Sequence, residues 1–238
     1  KNKLYVDRFR NRIIFPVYSL NDSVLAIGAR ALSKISYAKY LNSPETEFYK
    51  KGNNLYNINS AKKLRNKHEE IFVVEGYMDA VTLHKFGFEN VAANLGTAMT
   101  ERQLNLIWNF FKKPIICLDG DSSGKKAAVR AAERLFPHMK ADYNIYFLTL
   151  PENLDPDSYI NKNGRESFLK FSESKVEIQD FIWKSYYIDL NKSDPHSLTL
   201  FERKIRSICS EVKDKTLGKY FLDNFIQKIN ELTPNINI

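Results

Sequence analysis

The chain has 238 residues, of which 43% are hydrophobic, and it carries a formal net charge of +8. This length is enough to bury a core and predicts one medium-sized α/β domain with smaller attached parts. No stretch approaches the ~20 apolar residues that a membrane span needs, and the N-terminus lacks the apolar run of a signal peptide. We therefore expect a cytoplasmic protein that makes no membrane contact, and the missing initiator Met indicates a piece of a longer polypeptide.

The positive charge is concentrated at the start of the chain. Residues 1–70 contain 14 Lys and Arg against 6 Asp and Glu, whereas the rest of the chain contains 22 of each. Aromatic residues lie between these basic ones, and the combination is typical of a groove that follows a nucleic-acid backbone. A solvated surface without a partner is the alternative, and charge alone does not decide between the two.

The first elements along the chain are short strands. The runs 12–15 and 24–28 flank a turn at 19–23 and predict a β-hairpin. Residues 31–59 are expected to be irregular because Pro44 and Gly52 oppose a long helix, and a short helix is predicted at 60–67.

From Ile71 onward, apolar strands alternate with amphipathic helices. This alternation predicts a parallel sheet that is covered by helices and connected by right-handed crossovers. After Pro151 the pattern becomes helical. The predicted strands are 71–74, 91–94, 115–118 and 144–149, and the predicted helices are 78–86, 100–111, 123–136, 156–162, 165–172, 176–190, 197–213 and 216–231.

Acidic residues follow two of the predicted strands. Glu75 comes after 71–74, and Asp119 and Asp121 come after 115–118, so all three can converge where parallel strands end. Asp155 and Asp157 follow the last strand and can join them. Crowded carboxylates repel one another unless cations lie between them, and Mg²⁺ prefers carboxylate oxygens. We predict a site for two divalent ions that acts on phosphates, although each Asp taken alone fits a surface turn or a helix cap.

These residues lead to a resemblance. The segment 73–79, Val-Val-Glu-Gly-Tyr-Met-Asp, together with Asp119-Gly120-Asp121, resembles the Toprim fold of primases, type IA and II topoisomerases, some nucleases and a recombination mediator. Three further segments, 8–16, 39–46 and 95–98, resemble bacterial DNA primases of the DnaG type specifically. The resemblance covers essentially the whole chain, as the RNA polymerase catalytic core. The chain departs from the family at 26–30, which is poorer in Gly, and at 122–123, which are both Ser.

The resemblance implies the domain organisation and the activity. The expected fold class is α/β, with a Toprim parallel-sheet core at 71–150. The C-terminal part of a basic α+β subdomain precedes it at 1–70, and a small helical bundle follows at 151–238. The implied activity is the synthesis of short RNA primers from ribonucleoside triphosphates on single-stranded DNA during replication. A replicative helicase and a single-strand-binding protein are implied partners, through regions mostly outside this chain, and a monomer is expected.

The resemblance also implies roles for individual residues. Asp79 is expected to serve the structure of the motif. The resemblance implies Mg²⁺ or Mn²⁺ as the cofactor. We expect no zinc, because the four His residues are scattered and the two cysteines, Cys117 and Cys209, do not have the spacing of a zinc site. The implied catalytic residues are Glu75, Asp119 and Asp121, the implied metal ligands are Glu75, Asp119, Asp121, Asp155 and Asp157, and the implied contacts to nucleic acid or nucleotide are Arg8, Arg10, Arg30, Lys39, Tyr40, Asn42 and Lys51.

Two alternatives stay open from the sequence. A Toprim nuclease or topoisomerase fragment needs the same acids but not the segment 41–46, and a topoisomerase also needs a nucleophilic Tyr for which there is no signal. A non-enzymatic DNA-binding adaptor has no need to keep all five acids. Only a primase predicts consumption of ribonucleotides that depends on a single-stranded template.

Overall fold

The computed structural model describes residues 7–33, 38–96 and 98–232. The predicted hairpin is confirmed as the antiparallel pair β1 (Arg12–Tyr18) and β2 (Val24–Ala31). A third strand, β3 (Tyr40–Asn42), pairs with β2 in the region that was expected to be irregular. Its three residues are too few for a pattern, so the strand depends on its partner rather than on its own sequence.

The connection to the second sheet is short and mostly helical. A 3₁₀ turn at Lys51–Asn53 is followed by α1 (Ile58–Ala61) and a further 3₁₀ turn at Lys62–Leu64, so the helix predicted at 60–67 begins two residues earlier and ends sooner. Tyr56 exchanges two backbone hydrogen bonds with Ala93. This bridge ties the connection to the edge of the second sheet.

The second sheet confirms the predicted parallel arrangement. Its strands are β4 (Glu70–Val74), β5 (Val91–Ala93), β6 (Lys113–Leu118), β7 (Tyr146–Thr149) and the two-residue β8 (Val176–Glu177). The strand order is β5-β4-β6-β7-β8; the first four strands are parallel, and β8 is antiparallel to β7. The crossover helices are α2 (Tyr77–Lys85), α3 (Glu101–Trp108) and α4 (Ser122–Leu135).

The remaining chain is mainly helical. The predicted helices at 156–162 and 165–172 form α5 (Pro156–Ser172), which is interrupted at Gly164, where φ is 81°. The prediction of a helix from 176 is wrong for two residues, because β8 (Val176–Glu177) first pairs with β7. The last helices are α6 (Ile178–Tyr187), α7 (Pro195–Ser210) and α8 (Lys215–Leu232).

Both faces of the parallel sheet are buried, as strands with continuous apolar runs require. On β4, Ile71 and Val73 pack on the side of α3, α4 and α6, while Phe72 and Val74 pack on the side of α2 and α5. Helices α7 and α8 extend the first side, where Trp183 stacks on Phe225 with ring centroids 6.0 Å apart. None of the helices in the described part of the chain has the length and apolar character to cross a membrane.

Candidate active site

Glu75 and Asp119 lie side by side at the carboxyl edge of the sheet. They follow β4 and β6, which are neighbours with Val73 opposite Ile116. Glu75 Oε1 accepts a hydrogen bond from the backbone N–H of Asp119, with 3.4 Å between nitrogen and oxygen. The predicted convergence of these two acids across the chain is therefore present in the structure.

Gly120 allows the loop after β7 to dock beside these acids. The Gly120 N–H donates to the carbonyl of Leu154 at 2.9 Å. A Cβ at position 120 would overlap the backbone oxygen of Pro151, so only Gly permits this approach. The docked loop brings the segment that begins with Asp155 to the edge of the sheet where Glu75 and Asp119 lie.

Asp155 and Asp157 both carry structural hydrogen bonds at the start of α5. Asp155 caps the helix by accepting the backbone N–H of Ser158 at 2.7 Å. Asp157 Oδ1 accepts the hydroxyl of Thr82 at 2.6 Å and the amide of Asn161 at 2.9 Å. Asp155 thus acts as the helix cap that was the alternative interpretation of its position, and Asp157 takes part in the contact between α2 and α5.

Asp79 joins the two helices beneath this cluster. It is buried, its Oδ2 accepts the N–H of Gly76 at 3.1 Å, and its Oδ1 accepts the N–H of Asp157 at 3.3 Å. The structural role expected for Asp79 is therefore visible in its contacts. It ties the N-terminus of α2 to that of α5 and so fixes Asp157 relative to Glu75.

Asp121 is the most exposed of the five acids. Its side chain caps α4 by accepting the N–H of Gly124 at 2.6 Å. A Cβ on Gly124 would overlap the carbonyl oxygen of Asp119. The Asp-Gly-Asp segment is thus a tight turn into a helix, and that turn directs Asp119 and Asp121 to the same edge.

Burial and neighbouring negative charges raise the pKa values of two acids, Asp119 and Asp79. Burial, followed by the charges of Glu75, Asp79, Asp155 and Asp121, raises the pKa of Asp119 to about 7. Burial and then the charge of Asp155 raise the pKa of Asp79 to about 7, against the two backbone hydrogen bonds that lower it. The group therefore carries more negative charge than its surroundings stabilise.

A divalent cation fits this donor set. Asp119 Oδ1 is buried and has no hydrogen-bond partner among the described residues, and carboxylate oxygens are the ligands that Mg²⁺ and Mn²⁺ prefer. Within the described ranges, no three acid, His or Cys side chains are already arranged to hold one ion together. Glu75 and Asp119 are joined directly, because Glu75 Oε1 accepts the Asp119 N–H.

Basic and aromatic side chains of the first sheet form a cluster around Tyr40. Arg30 lies opposite Tyr40 across β2 and β3, with its guanidinium 6.0 Å from the ring centroid, and the Lys39 ammonium is 5.5 Å from the same ring. Burial is the main cause that raises the pKa of Tyr40, and the charges of Asp79, Asp157 and Asp155 add to it. Tyr40, with Arg30 and Lys39 beside its ring, is therefore within electrostatic range of these three carboxylates.

Asn42 and Arg8 extend this surface. Arg8 donates from Nη2 to the backbone oxygen of Asn42 at 3.3 Å, and the Asn42 side chain accepts the Tyr77 hydroxyl at 2.6 Å. Arg10 is exposed. The structure thus brings Arg8, Arg30, Lys39, Tyr40 and Asn42 to one sheet.

Lys51 is held from two sides. Its N–H donates to Glu45 Oε1 at 2.8 Å, and its carbonyl accepts Gln103 Nε2 at 3.1 Å. Gln103 is fully buried and also donates to the carbonyl of Asn54. Sequence reasoning missed Gln103, although Thr100 and Gln103 have the spacing of a capping box, which the structure confirms.

A cavity of about 360 Å³ opens beside Glu75. It lies between the sheet and α4, and Gly96 and Asn94 follow β5 into its wall. Arg130 stands at its rim. The other lining residues are Ala98, Met99, Ile116, Leu118, Ala127 and Ala131.

Comparisons with known proteins agree with this geometry. Residues 1–62 match the family model of the DNA primase catalytic core, N-terminal domain, and residues 72–160 match the Toprim-like model. The DNA primase of Clostridium acetobutylicum is 39% identical over 233 residues, which are 98% of this chain and 37% of that relative. A solved structure described as the DnaG catalytic core has a TM-score of 0.88 and 32% identity, and the match covers 97% of this chain and 73% of that one.

The chain belongs to the DnaG-type DNA primases. The resemblance and the fold class inferred from the sequence are both confirmed. The DnaG primase catalytic domain bound to single-stranded DNA is also similar, with a TM-score of 0.87 and 32% identity over 95% of this chain and 70% of that one. Toprim domains and DnaG cores generally depend on a divalent metal. The chain spans less than half of the length of the curated primases that it matches, from 31% to 41%.

Proposed function

We propose that this chain is the catalytic core of a DNA primase, which synthesises short RNA primers on single-stranded DNA from ribonucleoside triphosphates. The observation that carries the proposal is that the acid cluster lies, through Asp79, Asp155 and Asp157, within electrostatic range of Tyr40. Tyr40 itself lies beside Arg30 and Lys39. Acids that attract metal ions and cations that attract phosphates are what a nucleotidyl transfer site needs side by side. The similarity to primases along nearly the whole chain supports this function over a nuclease, topoisomerase or adaptor.

The acids are proposed as the metal ligands and catalytic groups. Glu75, Asp119, Asp121, Asp155 and Asp157 would hold Mg²⁺ or Mn²⁺, which supplies charge neutralisation and a lowered hydroxyl pKa when bound. Glu75, whose Oε1 accepts the Asp119 N–H, is also proposed to accept the proton of the attacking 3′-hydroxyl. That oxygen then forms a bond to the α-phosphorus of the next ribonucleotide, and pyrophosphate leaves.

The basic surface is proposed to hold the template and the incoming nucleotide. Arg side chains match phosphate oxygens with two donors, and Lys side chains add charge. Tyr40, which is 42% exposed, offers a ring on which an unpaired base can stack. The proposed contacts are Arg8, Arg10, Arg30, Lys39, Tyr40, Asn42 and Lys51.

Further parts of the proposal concern the whole protein. We propose a monomer in the bacterial cytoplasm that works with a replicative helicase and a single-strand-binding protein through regions mostly outside this chain. We propose no zinc site here, and divisions at 1–70, 71–150 and 151–238. The single-stranded DNA in a similar DnaG structure supports the choice of template.

The test is incorporation of labelled ribonucleotides on single-stranded DNA with Mg²⁺ or Mn²⁺. The parent chain is compared with Asp119→Asn and with Asp142→Asn, an exposed acid at the opposite end of the sheet. We expect product from the parent and from Asp142→Asn, and none from Asp119→Asn. Metal-dependent binding of a fluorescent ribonucleotide is measured in parallel, and a parent chain that neither binds nor incorporates ribonucleotides would refute the proposal.

A further inference from the structure

Gly28 and Asn42 are direct cross-strand partners in β2 and β3. On one face of an antiparallel pair, opposite side chains normally contact each other, but Gly28 has none. A Cβ at position 28 would lie 2.5 Å from the Tyr77 hydroxyl oxygen and would overlap the ring. The phenol of Tyr77 therefore occupies the place of the missing neighbour of Asn42.

Packing fixes the ring of Tyr77 in this position. Tyr77 is 5% exposed and begins α2, two residues after Glu75. Its ring stacks on Phe15 with centroids 5.3 Å apart and planes 6° apart, and it meets Tyr56 edge-on at 5.1 Å. Because the Tyr77 ring is packed on two sides, its hydroxyl group can point in only one direction.

That hydroxyl donates to Asn42 Oδ1 at 2.6 Å. Burial raises the pKa of Tyr77 above its usual value, so the donor keeps its proton at neutral pH. A carboxamide has one acceptor oxygen and one nitrogen with two donors. With Oδ1 engaged by Tyr77, Nδ2 is the end of Asn42 that is presented to other groups.

Asn42 Nδ2 lies toward the carboxyl edge of the parallel sheet. It is 3.6 Å from the position that a Cβ on Gly96 would take. Gly96 has φ of 75° and lines the same cavity as Glu75. The donor end of the amide is thus next to the edge that carries the acid cluster.

We propose that Tyr77 is a positioning residue, whose hydroxyl orients the Asn42 amide so that Nδ2 donates to an oxygen of the bound ribonucleotide. The inference rests on the proposed function, because Asn42 is proposed as a nucleotide contact. Tyr77 lies only two residues after Glu75, so the residue that orients the nucleotide contact is held close to the catalytic acid. Gly28 is required because any side chain there displaces the phenol.

The first variant is Tyr77→Phe, which removes one oxygen and keeps the ring that packs on Phe15 and Tyr56. A contact made equally in the ground and transition states acts on KM rather than kcat. We expect the KM for ribonucleotides to rise roughly 3- to 10-fold, as for loss of one oriented hydrogen bond, with kcat within about twofold. Tyr56→Phe removes a hydroxyl from the same aromatic cluster without reaching Asn42 and is expected to leave KM unchanged.

A double-mutant cycle separates positioning from folding. Asn42→Ala is expected to raise KM by itself, and Tyr77→Phe is expected to add nothing on that background. Asn42→Asp keeps an acceptor for Tyr77 but loses the Nδ2 donor and adds a negative charge that repels phosphate, so it is expected to raise KM at least as much as Asn42→Ala. Gly28→Ala is expected to reproduce the KM increase of Tyr77→Phe by displacing the ring.

The same cycle is measured as the Kd of a fluorescent ribonucleotide with Mn²⁺, so it does not depend on turnover. A Tyr77→Phe chain with a lower melting temperature and unchanged KM and Kd would overturn the inference. Additive effects of Tyr77→Phe and Asn42→Ala would overturn it as well. A parent that neither binds nor incorporates ribonucleotides would instead refute the proposed primase function.

Discussion

Thr82 on α2 donates its hydroxyl to the carboxylate of Asp157 on α5, with 2.6 Å between the two oxygens. Thr82 is 6% exposed, and the contact joins residues 75 positions apart. A hydrogen bond to a charged acceptor contributes more than one between neutral groups. The contact therefore stabilises the packing of α2 on α5 and determines where Asp157 lies at the edge of the acid cluster.

Thr82→Val removes this hydroxyl and keeps the shape of the side chain. We expect the free energy of unfolding to fall by about 1–2 kcal/mol, because the partly buried carboxylate of Asp157 loses one of its donors. Urea denaturation measures the change. Thr199→Val is the control, since Thr199 is exposed and bonds only to its own helix; its effect is expected within about 0.5 kcal/mol. Equal stability of Thr82→Val and the parent would contradict this account of the α2–α5 contact.

Asp119 makes the protein more stable at low pH when no metal is present. Its pKa is raised to about 7 from an ordinary value of 3.8, so the folded chain binds this proton more tightly than the unfolded chain does. The resulting stabilisation is complete below pH 3.8 and is lost as the pH rises to about 7. Asp79 has the same direction of shift. Between pH 3.8 and about 7, the stability of the parent chain in a metal chelator is expected to fall as the pH rises.

Asp119→Asn removes a large part of this pH dependence. We expect the variant to melt at a higher temperature than the parent at pH 8 in chelator, and Mg²⁺ or Mn²⁺ to stabilise the parent more than the variant, because a ligand of the folded state alone raises stability. Asp142→Asn is the matched control and should follow the parent at every pH. A parent whose melting temperature rises from pH 5 to pH 8 relative to Asp119→Asn would refute the electrostatic description of the cluster.

Gln103 determines the position of the Lys51 loop. Its side chain donates to the carbonyls of Lys51 and Asn54 and accepts the N–H of Thr100. Gln103→Ala leaves these buried groups without partners, so we expect a loss of about 2–4 kcal/mol in the free energy of unfolding. Asn105→Ala, at an exposed position of the same helix, is expected to change stability by less than about 1 kcal/mol. Similar losses for both variants would show that Gln103 does not hold the loop.

The parallel sheet was predictable because its strands are buried on both faces. Continuous apolar runs such as Ile71 to Val74, separated by helical patterns, have few other interpretations. Strands β3 and β8 were not predictable, since they have three and two residues and depend on pairing with β2 and β7. Short elements of this kind are specified by the partner strand rather than by local sequence.

The candidate site likewise has features that the sequence predicts and features that it does not. The approach of Glu75 and Asp119 follows from the rule that parallel strands end at a common edge, so spacing along the chain was no obstacle. The hydrogen bond from Tyr77 to Asn42, across 35 positions, and that from Thr82 to Asp157 depend on side-chain packing. No periodic pattern reports such contacts, and only the absent side chain of Gly28 hints at the first of them.

The basic surface gives a prediction for the salt dependence of template binding. Single-stranded DNA releases counterions when its phosphates are neutralised, with a slope of about −0.7 in log affinity against log salt for each phosphate. If the proposed contacts neutralise about five phosphates, the slope is near −3.5.

Lys39→Ala removes one exposed cation beside Tyr40 and is expected to make the slope shallower by about 0.7. Lys219→Ala removes an equal charge from α8, far along the chain from this surface, and is expected to leave the slope unchanged. The slope is measured for the parent and both variants by fluorescence anisotropy of a labelled oligonucleotide, from about 50 to about 200 mM salt. Equal slopes for Lys39→Ala and Lys219→Ala would show that Lys39 does not contact a template phosphate.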